Sequence, residues 1–310
     1  MHTVRTPAVA GLFYPADTAE LHAQVRHFIG EVEAPDGPSP KAIIAPHAGY
    51  VYSGPIAASA YVRLQAVRGT IARVVLLGPS HRVGFRGIAA SAMVAFETPL
   101  GKIPVDQTAV TRARELPDVG VLEQAHTREH SLEVHLPFLQ EVLGEFELVP
   151  LVVGEARPSQ VGEVLEALWG GPETLVVIRT DLSHYLDYQH ARQMDQETSR
   201  AIETLRFEEI GYEQACGRNP VNGLLWVARR KGLAVETIDL RNSGDTAGSR
   251  ERVDGYGAWV FAVTGGLERE SAALADYAAV YKKDLLRIAR TALEEAVLHG
   301  RVFEPSRDDY

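Results

Sequence analysis

Uninterrupted apolar runs punctuate the first two-thirds of the chain: Ala42-Ile-Ile-Ala45, Val74-Val-Leu-Leu77 and Leu175-Val-Val-Ile178, with the segment Phe146–Val153 apolar but for Glu147. Apolar residues that follow one another without polar alternation predict strands covered on both faces, as in a parallel sheet. Between and around them lie segments with helical signals. Asp17 and Glu20 have capping-box spacing for a helix to Ile29. Pro55 to Val67 reads as a helix with proline at its first position, and Gln107 to Glu115, Val134 to Leu143 and Pro158 to Leu168 as three more. Gln189 to Leu205 is a long amphipathic helix, Phe207 to Ala215 a shorter one, and Asn219-Pro220 opens another to about Arg230. Gly87–Ala95, Ile103–Val105, Val235–Leu240 and Tyr256–Val263 read as further strands, and Thr98-Pro-Leu-Gly101 as a turn. Strands alternating with helices predict an α/β fold, a three-layer sandwich around a central mixed sheet.

After Gly265-Gly266 the pattern changes. Leu274, Tyr277, Tyr281, Leu285, Ile288, Ala292 and Ala296 recur at three- and four-residue steps, which predicts one amphipathic helix in a C-terminal helical tail. So short a tail cannot build a core of its own. The chain therefore divides into an α/β domain over 1–265 and a linker with helix over 266–310.

Composition narrows the function classes. Of 310 residues 45% are apolar and 23% charged, ordinary for a globular protein, and the formal net charge is −10 without long blocks of one sign. That balance argues against a nucleic-acid or anionic-membrane partner. No apolar run reaches the length of a membrane span, and MHTVRTPAVA lacks a signal-peptide core, so a cytoplasmic location is expected. The single cysteine, Cys216, excludes an intrachain disulfide.

Candidate chemistry gathers where strands end. Ala45-Pro-His47 follows the first apolar run, and Gly78-Pro-Ser-His81 follows the second. In open α/β sheets ligands bind beyond the carboxyl ends of the strands, where both histidines fall. Two neutral imidazoles and one anion make a metal site with open positions. Cys216 supplies that anion if the following helix and Arg218 favour its thiolate; it reads equally as a small buried hydrophobe. Glu129-His130-Ser-Leu-Glu133-Val-His135 forms a second group, with His126 four residues before His130. Glu133 is expected to orient an imidazole and His135 to point into the cleft, unless these residues only satisfy a helix start. Asp181-Leu-Ser-His184 lies beyond the Thr174–Ile178 strand, where His184 would exchange a proton with a substrate and Asp181 would set its tautomer.

Ala10-Gly-Leu-Phe-Tyr-Pro15, Ala45-Pro-His-Ala-Gly-Tyr50, Gly78-Pro-Ser-His81, Glu129-His-Ser-Leu-Glu-Val-His-Leu-Pro137, Thr180-Asp-Leu-Ser-His184 and Cys216-Gly-Arg-Asn-Pro220 stand in this order over about residues 5–265. Together they resemble the Memo family, whose bacterial and archaeal members are called AmmeMemoRadiSam system protein B. The resemblance implies a fold like that of class III extradiol dioxygenases. It also implies iron or copper on His47, His81 and Cys216, with zinc a weaker fit, and His135, His184 and Asp181 as pocket residues. A small-molecule or peptide ligand in the metal cleft, a radical SAM protein and an AMMECR1-like protein are the partners it implies. Leu285-Leu-Arg-Ile-Ala-Arg-Thr-Ala292 is similar to the opening helix of an AMMECR1-like domain. An oxidoreductase acting with dioxygen, a non-enzymatic binding module and a zinc hydrolase all remain open at this point.

Overall fold

A computed structural model describes residues 3–33 and 37–263, so the helix expected from Leu274 onward lies outside the described residues. A two-residue strand, β1 (Val4–Arg5), precedes α1 (Thr18–Gly30), whose N-cap Asp17 accepts from the backbone N–H groups of Ala19 and Glu20. Then come β2 (Ala42–Ala45), α2 (Tyr50–Tyr61), β3 (Arg73–Pro79), β4 (Ile88–Ala90), β5 (Ala95–Thr98), β6 (Gly101–Pro104) and α3 (Gln107–Ala113). β7 (Val119–Val121), α4 (Glu123–Thr127), α5 (Leu136–Leu143), β8 (Glu147–Val153), α6 (Pro158–Ala167) and β9 (Thr174–Arg179) follow. The described chain closes with α7 (Tyr188–Glu203), α8 (Arg218–Lys231), β10 (Leu233–Asn242) and β11 (Gly255–Val263).

The main sheet has eight strands in the order β10-β11-β2-β9-β3-β8-β4-β7, and β1, β5 and β6 form a small second sheet. β2, β9, β3 and β8 run parallel, while β11 and β4 pair antiparallel to β2 and β8. This is the mixed sheet the alternation predicts, in a fold consistent with an α/β sandwich. β2 and β9 are buried at every position and β3 and β8 at all but the first, which explains their unbroken apolar sequences. α1, α2 and α5 pack together, with α2 against β2; α6 and α8 pack together, with α8 against β3 and β9. Tyr61 stacks on Phe138 at 5.0 Å between ring centroids, joining α2 to α5. Among the described residues no helix is long and apolar enough to cross a membrane.

Three elements differ from the sequence expectation. α2 begins at Tyr50 and holds Pro55 inside it, while Val62–Val67 tightens into a 3-10 helix. Proline there removes the bond to the carbonyl of Val51, a residue that is 56% exposed. The strand expected over Gly87–Ala95 is broken between β4 and β5, which belong to different sheets. Of the helix expected over Phe207–Ala215 only a 3-10 turn at Phe207–Glu209 forms.

Candidate metal centre

The parallel strands aim chemistry at one edge. His47, His81 and Asp181 each lie two residues past the end of β2, β3 and β9 respectively. Because β9 lies between β2 and β3, the three loops leave the sheet side by side. Cys216 reaches them from another direction, at the turn before α8. That turn lies against the end of β9: a Cβ on Gly217 would stand 2.2 Å from the Arg179 carbonyl oxygen, so only glycine permits the approach. The Cys216 N–H donates to the Asp181 carbonyl (3.2 Å), and the Asp181 N–H donates to Sγ (3.4 Å).

The donor atoms of His47, His81 and Cys216 lie within 4.8 Å of one another. Cys216 Sγ is 3.7 Å from His47 Nε2, and the His47 and His81 ring centroids are 5.0 Å apart. Two imidazoles on one tetrahedral ion, at about 2.05 Å from metal to nitrogen, place their centroids roughly 5 Å apart. The residues present therefore fit a metal ion. Burial, reinforced by Arg179 and the neighbouring histidines, holds His47 well below the ordinary imidazole range, so it is neutral and has a lone pair to offer. Its Nδ1 is buried without a hydrogen-bond partner among the described residues. Burial, with Asp181 beside it, pushes the Cys216 thiol up to about 12. This overturns the expectation that the helix start and Arg218 favour thiolate in the free protein. A bound cation must displace the thiol proton.

Glu129 orients His81. Its Oε1 accepts from His81 Nδ1 (2.9 Å) and the Ser131 N–H (2.9 Å), and its Oε2 accepts from the His81 N–H (2.7 Å). Burial alone would raise this carboxyl, but the hydrogen bonds and charge of His81, with the two backbone donors, hold it at about 2. An ionised carboxylate only accepts, so a proton of His81 sits on Nδ1, and Nε2 is the ring nitrogen left for an ion shared with the other donors. Gly78 lets the Ser131 loop approach, since a Cβ there would meet Ser131 Oγ at 2.8 Å.

The sequence expectation gave Glu133 the orienting part. Instead its fully buried carboxylate accepts from Arg5 Nη1 (2.7 Å), the N–H groups of Ala8 and Val9, and the Tyr14 hydroxyl (2.6 Å), anchoring the N-terminal segment. His135 does not point into a cleft. It is 1% exposed, donates from Nε2 to the Pro46 carbonyl (2.8 Å) and accepts from the Tyr61 hydroxyl at Nδ1, fixing the peptide just before His47. His126 is buried in α4 with Nε2 on the Ala89 carbonyl (3.0 Å); α4 ends at Thr127, so His126 and His130 do not share a helix face. His130 lies near the cluster, 4.7 Å from His81 and 5.6 Å from His47 between ring centroids, and burial lowers it to about 4. Asp181 Oδ1 accepts from the His47 N–H (2.6 Å), and burial raises its carboxyl. His184 is exposed, its ring 6.3 Å from that of Tyr185. Arg179, at the end of β9, is wholly buried with no hydrogen-bond partner for its guanidinium among the described residues. Its charge helps to keep His47 and His135 neutral.

Fold and site define an α/β protein with a candidate metal centre at the carboxyl edge of its parallel strands. The sequence profile described as Memo-like protein matches residues 5–260, and this chain belongs to that family. It is 36% identical over 272 residues to a MEMO1 family protein of Aquifex aeolicus, covering 83% of this chain and 99% of that one. It is likewise 36% identical over 286 residues to one of Methanopyrus kandleri (83% and 98%) and 36% over 277 residues to one of Thermotoga maritima (81% and 97%). A crystal structure of an uncharacterized Escherichia coli K12 protein is similar at a TM-score of 0.42 and 14% identity, over 69% of this chain and 98% of that chain.

Proposed function

We propose that this protein is a metal-dependent oxidoreductase acting with dioxygen, of the class III extradiol dioxygenase kind in fold, with iron or copper held by His47, His81 and Cys216. The observation that carries the reading is the convergence of two imidazoles and a thiol, from three distant parts of the sequence, within 4.8 Å at one strand edge. A bound ion of this class supplies one-electron chemistry and open positions for substrate and dioxygen. His47 and His81 present ring nitrogens, and Cys216 a sulfur that softens the donor set toward copper in its lower oxidation state. Glu129 and the Pro46–His135–Tyr61 chain fix the ligand loops. His184, exposed at the end of the Asp181 loop, exchanges protons between substrate and solvent. The test is anaerobic purification without added metal, followed by metal analysis and oxygen uptake with candidate catechol and thiol reductants. The reading expects about one iron or copper per chain, lost together with oxygen uptake in His47→Ala and Cys216→Ser. Zinc that supports hydrolysis without oxygen would replace it with a hydrolytic reading.

A further inference from the structure

His81 stands between two donor sets. On one side are His47 and Cys216; on the other are Glu129 and His130, whose donor atoms also lie within 4.8 Å of each other and of His81. The second set has the spacing of ligands: the His81 and His130 rings are 4.7 Å apart, against roughly 5 Å for two imidazoles on one tetrahedral ion. His130 Nδ1 is buried and lacks a well-aligned hydrogen bond, though it lies 3.3 Å from Glu129 Oε1. Phe13 packs against the His130 ring at 4.8 Å and holds it in this corner. A buried ring nitrogen without a partner, beside a carboxylate oxygen, is costly unless something fills the gap. In chemistry the sets differ. Two imidazoles with a thiolate suit a soft ion; two imidazoles with a carboxylate suit a harder divalent ion.

We propose that His81, Glu129 and His130 form a second cation position that takes a hard divalent ion, and that this position and the His47–His81–Cys216 set exclude one another through His81. The inference rests on reading the latter set as a metal site. Exclusion follows from the tautomer. With the proton on Nδ1, held by Glu129, His81 offers Nε2 to the soft set. An ion on Glu129 and His130 takes Nδ1, the proton moves to Nε2, and His81 is withdrawn from His47 and Cys216. No proton is lost in that shift. Which ion the protein carries therefore decides which donor set His81 serves.

The test uses the full-length protein under anaerobic conditions, with Cu(I) supplied as its acetonitrile complex and Mn(II) as a hard ion visible by electron paramagnetic resonance. Wild type is expected to bind one Mn(II) per chain and to release it as one Cu(I) binds. Cys216→Ser should weaken Cu(I) at least about tenfold and leave Mn(II) within about threefold. His130→Asn should do the reverse, with thermal melting checking that both variants fold and His130→Gln standing in if Asn does not. The proposal is overturned if wild type binds Cu(I) but no Mn(II), if Cys216→Ser loses both ions, if His130→Asn leaves Mn(II) unchanged, or if both ions bind together. Wild type that binds neither ion contradicts the metal reading itself, which separates the two failures.

Discussion

Replacing Glu129 by Gln removes one charge and almost no volume, so its effect reports the carboxylate alone. The side chain is 1% exposed and accepts three hydrogen bonds, two on Oε1 and one on Oε2. An amide has one oxygen and one donor group. With its oxygen in the Oε1 place, the NH2 confronts the His81 N–H; reversed, it confronts the Ser131 N–H and His81 Nδ1. Either way at least one buried backbone donor loses its acceptor, which costs about 1–3 kcal/mol, and the remaining bonds lose their charge assistance. A total near 3 kcal/mol corresponds to a fall in Tm of roughly 6–12 °C for a domain of this size. His81 also loses the group that fixes its tautomer, and Cu(I) affinity should fall about 10- to 100-fold. Thermal unfolding of the metal-free protein and Cu(I) competition against a chromophoric chelator measure the two effects. Glu129→Gln that melts within 1 °C of wild type and binds Cu(I) equally would refute the orienting part assigned to this carboxylate.

Other residues give independent expectations. Burial lowers His126 from 6.5 to about 4, so the unfolded chain binds the extra proton first as pH falls. The stability tied to its neutral form is intact above pH 6.5 and lost as pH drops through 4, roughly 3 kcal/mol in all, and His126→Gln should flatten that part of a urea-unfolding profile between pH 7 and 4. Glu133→Ala leaves the 5%-exposed Arg5 guanidinium without its carboxylate and should cost about 3–5 kcal/mol by chemical denaturation; a loss under 1 kcal/mol would contradict the anchor. Gly217→Ala drives a Cβ to 2.2 Å from the Arg179 carbonyl, so the turn carrying Cys216 must move; about 1–3 kcal/mol of stability and much of the Cu(I) affinity should go, and unchanged affinity would show that Cys216 is not held there.

The strands that position the centre were legible because both their faces are covered: β2, β3, β8 and β9 read as unbroken apolar runs, and the histidines two residues past β2 and β3 could be placed by eye. What the sequence hides is pairing across distance. Glu129 and Glu133 sit four residues apart in the same run, and nothing local says that the first faces His81, 48 residues away, while the second faces Arg5, 128 residues away. His135 resembles a pocket residue by type, but its two ring nitrogens are taken by Pro46 and Tyr61, and Tyr61 carries no such signal. Pro55 misled because its restraint on φ is the same inside the first two turns of a helix as at its start, so it marks a region and not a boundary. β1 is two residues long and owes its existence to β5, a neighbour far along the chain.

X-ray absorption at the metal edge, on protein purified anaerobically with its native ion, tests the central claim most directly. The account predicts iron or copper with one sulfur neighbour at about 2.3 Å and nitrogen neighbours near 2.0–2.1 Å, the sulfur vanishing in Cys216→Ser. A stoichiometric ion with only oxygen and nitrogen neighbours, or no ion at all, would contradict it.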